Sequence, residues 1–257
     1  MNVIKIYGGL GNQMFQYAFG RAMQLRGSDV AFDISWFNKP STEVPRPYGL
    51  SRFRVSPKIS PLLSQPVVHE DASTYYRYIA DYLTKENTNF FGYWQNQQYI
   101  QPILPTLKEE FKLRKDQEFP VSFIQLREVI LQKECVAIHI RRGDYLTKGH
   151  HLLPIEYYTT ALLETGNSIP IVFSDDIPWC RQYFKGAFFV EEPDYLSFDL
   201  MRLCKHKITA NSTYSWWAAM LGKEDGKIFA PKRWRLNDTE ESTIEEEKFI
   251  PDNWIRL

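Results

Sequence analysis

Short hydrophobic runs alternate with amphipathic stretches along the chain, and the first such series lies at its start. The apolar run at residues 2–7 predicts a buried strand, and a glycine-rich turn follows at residues 8–13. Hydrophobic positions at helical spacing predict a helix over residues 14–26, and a second apolar run predicts a strand over residues 30–33. Strand, glycine turn, helix and strand in this order indicate the opening of a βαβ unit.

The part of the chain that follows has a weaker pattern. Residues 40–66 are rich in proline and serine, which predicts irregular structure. We predict helices over residues 75–83, 108–115 and 123–132 and a strand over residues 90–95.

A regular alternation of strands and helices resumes at Cys135. Its predicted strands are residues 136–140, 169–174, 187–190, 207–210 and 227–230. Its predicted helices are residues 154–165, 179–184 and 197–204, and residues 211–221 form a turn that continues into a helix. The whole pattern predicts an α/β protein with two halves, which we divide as residues 1–125 and residues 126–257.

Composition limits the classes of partner. The chain has 257 residues, with 31 basic and 31 acidic side chains, so its charge gives no reason to expect nucleic acid. Any phosphate binding has to come from a local cluster. Three cysteines without close spacing argue against a disulfide framework, and neither a signal peptide nor a long apolar run is visible. We therefore expect a cytoplasmic protein.

Four polar clusters follow predicted strands, where ligands bind in open α/β sheets. In the sharpest cluster, HIRRGD at residues 139–144, Arg141 and Arg142 are adjacent at a strand end. The guanidinium group presents a rigid fork of donors that matches phosphate oxygens. The alternative is a solvated arginine pair that forms a salt bridge with Asp144.

A second cluster precedes the predicted helix near the end of the chain. Ser212 suits the N-cap of that helix, and Asn211 and Thr213 flank it. The N–H groups and the positive dipole end of a helix start attract phosphate. Capping of a purely structural helix is the simpler explanation of the same residues. Trp216 and Trp217, which follow in this helix, are expected to pack in the core or between the two halves, with stacking on a ligand as the alternative.

The other two clusters carry weaker signals. Asp175 and Asp176 follow a strand and can accept hydrogen bonds from a ribose or from guanine, or can cap the next helix. The turn at residues 8–13 permits a ligand to approach the backbone closely. It also partly matches a dinucleotide-binding motif with Asp33 as the acidic residue, although Met14 occupies the third glycine position. The histidines are dispersed and no Asp-x-Asp triplet occurs, so we expect no metal site.

Taken together, four sequence blocks resemble the α-1,2-fucosyltransferases of glycosyltransferase family 11. The blocks are GGLGNQMFQYAFGRAM, FGYWQNQQYI, HIRRGDY and NSTYSWWAAMLG, in that order. Each block alone is a weak signal, whereas four in order over most of the chain are specific. The short length without a visible membrane anchor resembles bacterial members, which act on surface-polysaccharide or oligosaccharide acceptors.

The resemblance implies a GT-B-like fold, in which two Rossmann-like domains face each other across a cleft. Residues 1–125 would form the acceptor-side domain and residues 126–257 the GDP-sugar-binding domain. The donor substrate would be GDP-β-L-fucose, with inversion at the anomeric carbon and with no cofactor or metal. The acceptor would be the 2-hydroxyl group of a galactose-type unit in an oligosaccharide or lipid-linked glycan, with peripheral association at the inner face of the membrane as an option.

The resemblance also implies roles for single residues. Arg141 and Arg142 would bind the donor diphosphate, with Arg141 the stronger candidate, and Asp175 would bind the nucleoside. The other residues expected around the donor are Asn12, His139, Asn211, Ser212 and Thr213.

Inversion requires in-line attack by an acceptor hydroxyl, and a general base adds about 100-fold or more to such a step. Asp144 and His150 are the candidates, although Asp144 could instead anchor Arg142. His150 aligns with a histidine found in many family members, but the glycine that follows it there is replaced by His151.

Two other functions are compatible with the sequence. One is a transferase that uses another GDP-sugar donor, and the other is a non-catalytic glycan-binding protein that uses its aromatic side chains. Acceptor contacts are expected in the first half, around residues 93–98, where ordinary core packing is an equal alternative.

Overall fold

The structure is a computed structural model that describes residues 1–38, 46–71, 75–148, 151–234 and 249–257. His150, one of the two candidate bases, lies outside these residues. Part of the segment predicted as irregular and residues 235–248 also lie outside them.

Contacts between Cα atoms divide the chain into two compact units. The described residues of the first unit are 1–38, 46–71, 75–114 and 249–251, and those of the second are 115–148, 151–234 and Asp252–Leu257. The division near the middle of the chain thus lies between Arg114 and Lys115, before residue 125.

The first unit is built on a parallel sheet. Within the described residues, its strands are β1 (Asn2–Lys5), β2 (Val30–Asp33), β3 (Val67–His69) and β4 (Asn89–Phe91), in the order β2-β1-β4-β3. Its helices are α1 (Leu10–Gln24), α2 (Gln97–Ile100) and α3 (Leu104–Glu110). Short 3₁₀ segments occur at Ser35–Asn38, Gly49–Arg52, Ala80–Thr84 and Gln101–Ile103.

A glycine lets α1 lie close to the sheet of the first unit. A Cβ atom at Gly20 would lie only 2.6 Å from Cε1 of Phe32 on β2. Glycine in a helix interior costs about 1 kcal/mol relative to alanine, and close packing against the buried Phe32 ring offsets this cost. The same helix joins two strand ends, because Gln16 accepts from the Tyr7 N–H at 3.0 Å and donates to the Gly92 carbonyl at 3.1 Å.

The second unit also has a parallel sheet. Its described strands are β5 (Cys135–Ile140), β6 (Ile169–Ser174), β7 (Phe188–Val190), β8 (His206–Ile208), β9 (Ile228–Ala230) and β10 (Ile255–Arg256). Their order is β10-β9-β8-β5-β6-β7. The helices are α4 (Val121–Gln132), α5 (Gly143–Lys148), α6 (Ile155–Leu163), α7 (Ile177–Tyr183), α8 (Asp194–Leu203) and α9 (Thr213–Met220).

Strand β5 is the centre of the second unit. Every residue of β5 is buried, and Ile138 lies opposite Val172 on β6 and Ile208 on β8. A strand of a parallel sheet that is covered on both faces has a nearly continuous apolar sequence, and CVAIHI has this pattern. The position of β5 therefore places the arginine pair at the middle of the sheet edge.

The α/β class with two parallel sheets is confirmed, but several predicted elements are wrong in extent. The strand predicted over residues 90–95 is β4 and ends at Phe91. The glycine-rich turn is shorter than predicted, because Gly9 is the N-cap of α1 and the helix begins at Leu10. Residues 75–79 are not helical, since Tyr76 has a φ of 61°. The helix predicted over residues 108–115 is α3, which starts earlier with a proline in its first turn.

Candidate functional site

The sheet of the second unit reverses its strand order beside β5. From β5 the chain continues to β6 and β7 on one side, and it then returns to β8 on the other side. Ligands of open α/β sheets bind beyond the carboxyl ends of the strands at such a switch point. The switch point here lies between residues 141–144, which follow β5, and residues 209–213, which follow β8. The strand order therefore brings two of the predicted clusters to neighbouring strand ends.

Arg141 is the first residue after β5, and its guanidinium group lies between two carboxylates. Nη2 donates to Oδ1 of Asp144 at 2.6 Å, and Nη1 lies 2.9 Å from Oδ2 of Asp175. These side chains are only partly accessible, so the two ion pairs fix the position of the guanidinium group. Asp144 contacts Arg141, so the option that it anchors Arg142 is wrong.

Arg142 is held by its backbone and by one of its three side-chain nitrogens. Its backbone N–H donates to Oδ1 of Asp175 at 2.8 Å, and Nε donates to Oδ2 of Asp176 at 3.0 Å. The guanidinium carbon lies 4.1 Å from the centroid of the Trp179 ring, a cation–π arrangement. In the part of the chain that the structure describes, neither Nη1 nor Nη2 has a protein acceptor. Both can therefore donate to a ligand.

Gly143 permits the close approach of Asp175 to the arginine pair. A Cβ atom at Gly143 would lie 2.7 Å from Oδ2 of Asp175. Asp176 has a different task, because its Oδ1 accepts from the Trp179 N–H at 3.1 Å and caps α7. The predicted capping role of Asp176 is confirmed, and its second contact, to Arg142, is one that the sequence did not indicate.

His139 lies near the end of β5, and its side chain is buried. Burial, with a further contribution from the charge of Arg141, lowers the pKa of His139 to about 3. The imidazole is therefore neutral at physiological pH. Its Nδ1 is buried and has no hydrogen-bond partner among the described residues. A buried polar atom without a partner is costly, so this nitrogen is a candidate contact for a ligand.

The predicted helix start after β8 is α9, with Ser212 as its N-cap residue. The Ser212 side chain makes no capping hydrogen bond, so the predicted position is right but side-chain capping is absent. Asn211 has a structural contact, because its Nδ2 donates to the carbonyl groups of His151 at 2.9 Å and Trp234 at 3.1 Å. The N–H groups in the first turn of a helix lack intrahelical acceptors, so α9 offers donors beside Thr213.

Tyr145 connects the two clusters, a role that the sequence did not indicate. Its hydroxyl group donates to the Asn211 carbonyl at 2.9 Å, and its ring centroid lies 5.6 Å from the guanidinium carbon of Arg141. The contact joins the segment after β5 to the segment after β8. The only signal in the sequence was the tyrosine that ends the HIRRGDY block. Trp179 was missed as well, because its contact with Arg142 depends on the pairing of β5 with β6.

In the first unit, Asn12 lies in the first turn of α1, where its Oδ1 accepts from Gln95 Nε2 at 3.1 Å. Asp33, the acidic residue of the partial dinucleotide-binding motif, is buried, with Oδ2 2.9 Å from Lys5 Nζ and Oδ1 accepting from the Ser35 N–H. That carboxylate thus has internal partners. Trp216 and Trp217 of the second unit are fully buried, which confirms interior packing.

The described part of the chain contains no group of three or more His, Cys, Asp or Glu side chains that could hold a metal ion. None of the helices within it combines the length and apolar character needed to cross a membrane.

A parallel α/β sheet whose switch point carries paired arginines, carboxylates and a helix start is typical of enzymes that bind a phosphorylated nucleotide substrate. The family model "Glycosyl transferase family 11" matches residues 1–257, so the chain belongs to glycosyl transferase family 11. The family resemblance of the four sequence blocks is thereby confirmed, and the chain is a glycosyltransferase.

Two relatives come from Escherichia coli. An alpha-1,2-colitosyltransferase is 29% identical, with 99% of this chain and 98% of the relative covered. The O-antigen biosynthesis glycosyltransferase WbnK is 28% identical, with 97% of this chain and 98% of the relative covered. A galactoside 2-alpha-L-fucosyltransferase from Caenorhabditis elegans is 23% identical, with 97% of this chain and 77% of the relative covered. Among solved structures, the fucosyltransferase NodZ from Bradyrhizobium is similar at a TM-score of 0.47 and 12% identity, with 86% of this chain and 93% of that chain covered.

Proposed function

We propose that the chain is an inverting glycosyltransferase that moves L-fucose from GDP-β-L-fucose to the 2-hydroxyl group of a galactose-type acceptor. The observation that carries the proposal is the arginine pair at the switch point of the second unit. Both terminal nitrogens of Arg142 lack a described protein acceptor, and the start of α9 follows the neighbouring strand. Two guanidinium groups and a helix start together suit the two charges of a diphosphate.

In the proposed reaction, the bond between the anomeric carbon of fucose and an oxygen of the β-phosphate breaks. Its electron pair leaves with GDP, while the acceptor oxygen forms the new bond from the opposite face. Negative charge grows on the β-phosphate, and Arg141, Arg142 and the first turn of α9 stabilise it in the place of a metal. Loss of one such donor typically lowers the rate about 100- to 1000-fold.

Asp144 and Asp175 position the arginines in this proposal. The guanidinium group of Arg141 bridges their carboxylates, and Asp175 also accepts from the backbone N–H of Arg142. Asp175 thus holds the arginine pair in addition to its predicted contact with the nucleoside. We further propose that Nδ1 of the neutral His139 contacts the donor, since burial leaves it no described partner.

The proton of the acceptor hydroxyl passes to a general base, for which Asp144 and His150 are our candidates. Asp144→Asn and His150→Gln separate them. If His150 is the base, His150→Gln lowers transfer to the acceptor at unchanged GDP affinity. Asp144→Asn weakens GDP binding in either case, because Arg141 then lacks one of its two carboxylate partners. Asp144 is the base only if Asp144→Asn also lowers kcat at saturating donor while His150→Gln does not.

A colitosyl donor is the second candidate, because the alpha-1,2-colitosyltransferase covers 99% of this chain. Colitose is L-fucose without the 3-hydroxyl group, so the two donors differ in one polar contact. A site that hydrogen-bonds a hydroxyl rejects the analogue that lacks it by about 10⁴-fold or more, whereas an apolar site discriminates far less. The name of the relative WbnK places that protein in O-antigen biosynthesis. We propose that the acceptor of this chain is likewise a glycan of the O-antigen type, located in the cytoplasm.

The decisive experiment has two arms. Calorimetry with GDP alone measures donor binding, and a glycan-binding protein without transferase activity shows no GDP heat. Incubation with GDP-fucose or GDP-colitose and a panel of galactose-ended oligosaccharides then identifies donor and acceptor by mass spectrometry. Methylation analysis of the product locates the linkage. Transfer from neither donor, or a linkage to a hydroxyl other than the 2-position, contradicts the proposal.

A further inference from the structure

Tyrosine rings meet at the carboxyl edge of the first-unit sheet. Tyr7 follows β1 and Tyr93 follows β4, and their ring centroids are 4.9 Å apart with an interplanar angle of 42°. Tyr75 adds a third ring, whose centroid lies 6.4 Å from that of Tyr93 at 26°. All three side chains are partly buried and partly accessible. We call Tyr7 and Tyr93 the tyrosine pair.

The backbone at the end of β4 is fixed by a carboxylate. Oε2 of Glu70, the residue after β3, accepts the Tyr93 N–H at 2.6 Å and the Trp94 N–H at 3.3 Å. A Cβ atom at Gly92 would lie 2.5 Å from Cβ of Glu70, so only glycine permits this approach. Trp94 has a φ of 57°, a left-handed conformation that a non-glycine residue adopts only where its surroundings enforce it.

The chemistry of this edge suits a neutral polyhydroxylated ring. A tyrosine ring offers an apolar face to the C–H face of a pyranose, and its hydroxyl group offers a polar contact at the rim. Burial, followed by the proximity of Tyr93 and Glu70, raises the pKa of Tyr7 well above its usual value, so its hydroxyl group stays a donor.

We propose that the tyrosine pair is the subsite that binds the acceptor sugar, and that Glu70 is a positioning residue that fixes Tyr93. The inference rests on the proposed function, since it names the place of the acceptor in the same reaction. Ligands of parallel sheets lie beyond the carboxyl ends of the strands, and Tyr7 and Tyr93 follow two adjacent strands there.

The first test replaces Tyr93 by alanine and measures acceptor and donor binding separately. Saturation-transfer NMR with methyl β-D-galactopyranoside and lactose detects acceptor binding without turnover, and calorimetry gives the dissociation constant for GDP. We expect Tyr93→Ala to weaken galactoside binding, and to raise the acceptor KM, about 10-fold or more. GDP affinity stays within about two-fold of wild type, and Tyr93→Phe, which keeps the ring, retains most of the binding.

Tyr78→Ala is the matched control. Tyr78 lies in the same unit and also has a ring partner at 4.9 Å, Tyr99, so the variant removes an equivalent pair elsewhere. We expect it to bind galactosides as the wild type does. Unchanged galactoside binding in Tyr93→Ala overturns the proposed subsite. A loss of GDP affinity in this variant also overturns it, because the tyrosine rings would then contact the nucleotide. If the wild-type protein binds GDP but no galactoside, only the proposed subsite is overturned. If it binds neither GDP nor galactoside, the proposed function is contradicted as well.

The second test concerns Glu70. Glu70→Ala removes the acceptor of the two N–H groups, and we expect the same rise in acceptor KM as for Tyr93→Ala at unchanged GDP affinity. Glu70→Gln keeps an oxygen that can accept both hydrogen bonds, so it restores the acceptor KM to within about three-fold. Failure of Glu70→Gln to restore it contradicts the positioning role and indicates that the charge itself is required.

Discussion

The carboxyl edges of the two sheets use the same backbone device and carry different side chains. In the second unit, Gly143 lets Asp175 approach and accept the N–H of Arg142 at 2.8 Å. In the first unit, Gly92 lets Glu70 approach and accept the N–H of Tyr93 at 2.6 Å.

A glycine beside a carboxylate thus fixes a strand end in both units, while the residue that it fixes differs. The fixed residue is a cation in one unit and an aromatic ring in the other. Under the proposed function, the edge of the second unit binds the diphosphate and the edge of the first unit binds the acceptor sugar.

The largest effect is expected for the arginine pair. Arg141→Ala and Arg142→Ala each lower transfer about 100- to 1000-fold, because each removes a preformed positive charge from the leaving diphosphate. Steady-state kinetics with GDP-fucose, with circular dichroism as a folding check, measures this. Arg181→Ala is the matched control, since Arg181 is more than half exposed and pairs only with Glu191 among the described carboxylates. Near-wild-type turnover by a folded Arg141→Ala variant would refute the diphosphate role.

Exchanging the two glycines for alanine is expected to have the next largest effect. A Cβ atom at Gly143 would displace Asp175, and one at Gly92 would displace Glu70 and Trp94. We expect Gly143→Ala to weaken GDP binding about 10-fold and Gly92→Ala to raise the acceptor KM by a similar factor. Each variant is the control for the other. If both variants changed the GDP dissociation constant and the acceptor KM by the same factors, the assignment of different ligands to the two edges would be contradicted.

His139 and Tyr7 should make the free energy of unfolding depend on pH in opposite directions. The pKa of His139 is lowered to about 3, so the unfolded chain binds more protons between pH 6.5 and pH 3. The free energy of unfolding therefore falls as the pH falls through that window, by roughly 1 kcal/mol per pH unit from this group. The pKa of Tyr7 is raised, so its contribution is lost only as the pH rises above about 10.

Hydrogen exchange followed by mass spectrometry reports each unit separately. We expect acid to increase exchange first in the second unit, and His139→Gln to flatten the acid dependence. The alkaline loss is expected in both units, because burial also raises the pKa values of Tyr157, Tyr158 and Tyr214 in the second unit. Tyr7→Phe should reduce it in the first unit. An acid profile that is the same for wild type and His139→Gln would show that another group controls the acid stability.

The smallest effect is expected at the helix starts. Oδ1 of Asn96 accepts from the Gln98 N–H at 2.7 Å and caps α2, whereas Ser212 makes no capping bond to α9. Asn96→Ala should lower the free energy of unfolding by about 0.5–2 kcal/mol, and Ser212→Ala should change it by less than about 0.5 kcal/mol. Denaturant titration measures both. A large loss of stability in Ser212→Ala would indicate that its hydroxyl group has a structural task.

Much of the fold could be predicted from local pattern. The strand at Ile169–Ser174 matches its predicted bounds, and β5 extends its prediction by one residue, because both strands have nearly continuous apolar sequences. The shorter elements β3, α2 and α5 were not predicted. Elements of three to six residues contain too few positions to show a periodicity.

The candidate site also has features that the sequence predicted and features that it could not predict. The sequence by itself determined the residue types of the site, because the arginine pair, the helix start at Ser212 and the glycines can be recognised locally. Only the tertiary structure decided that β8 lies beside β5, that Asp175 bridges to Arg141, and that Glu70 fixes Tyr93. These contacts join residues from separate strands, so they depend on strand order and close packing, which no local pattern of hydrophobic positions encodes.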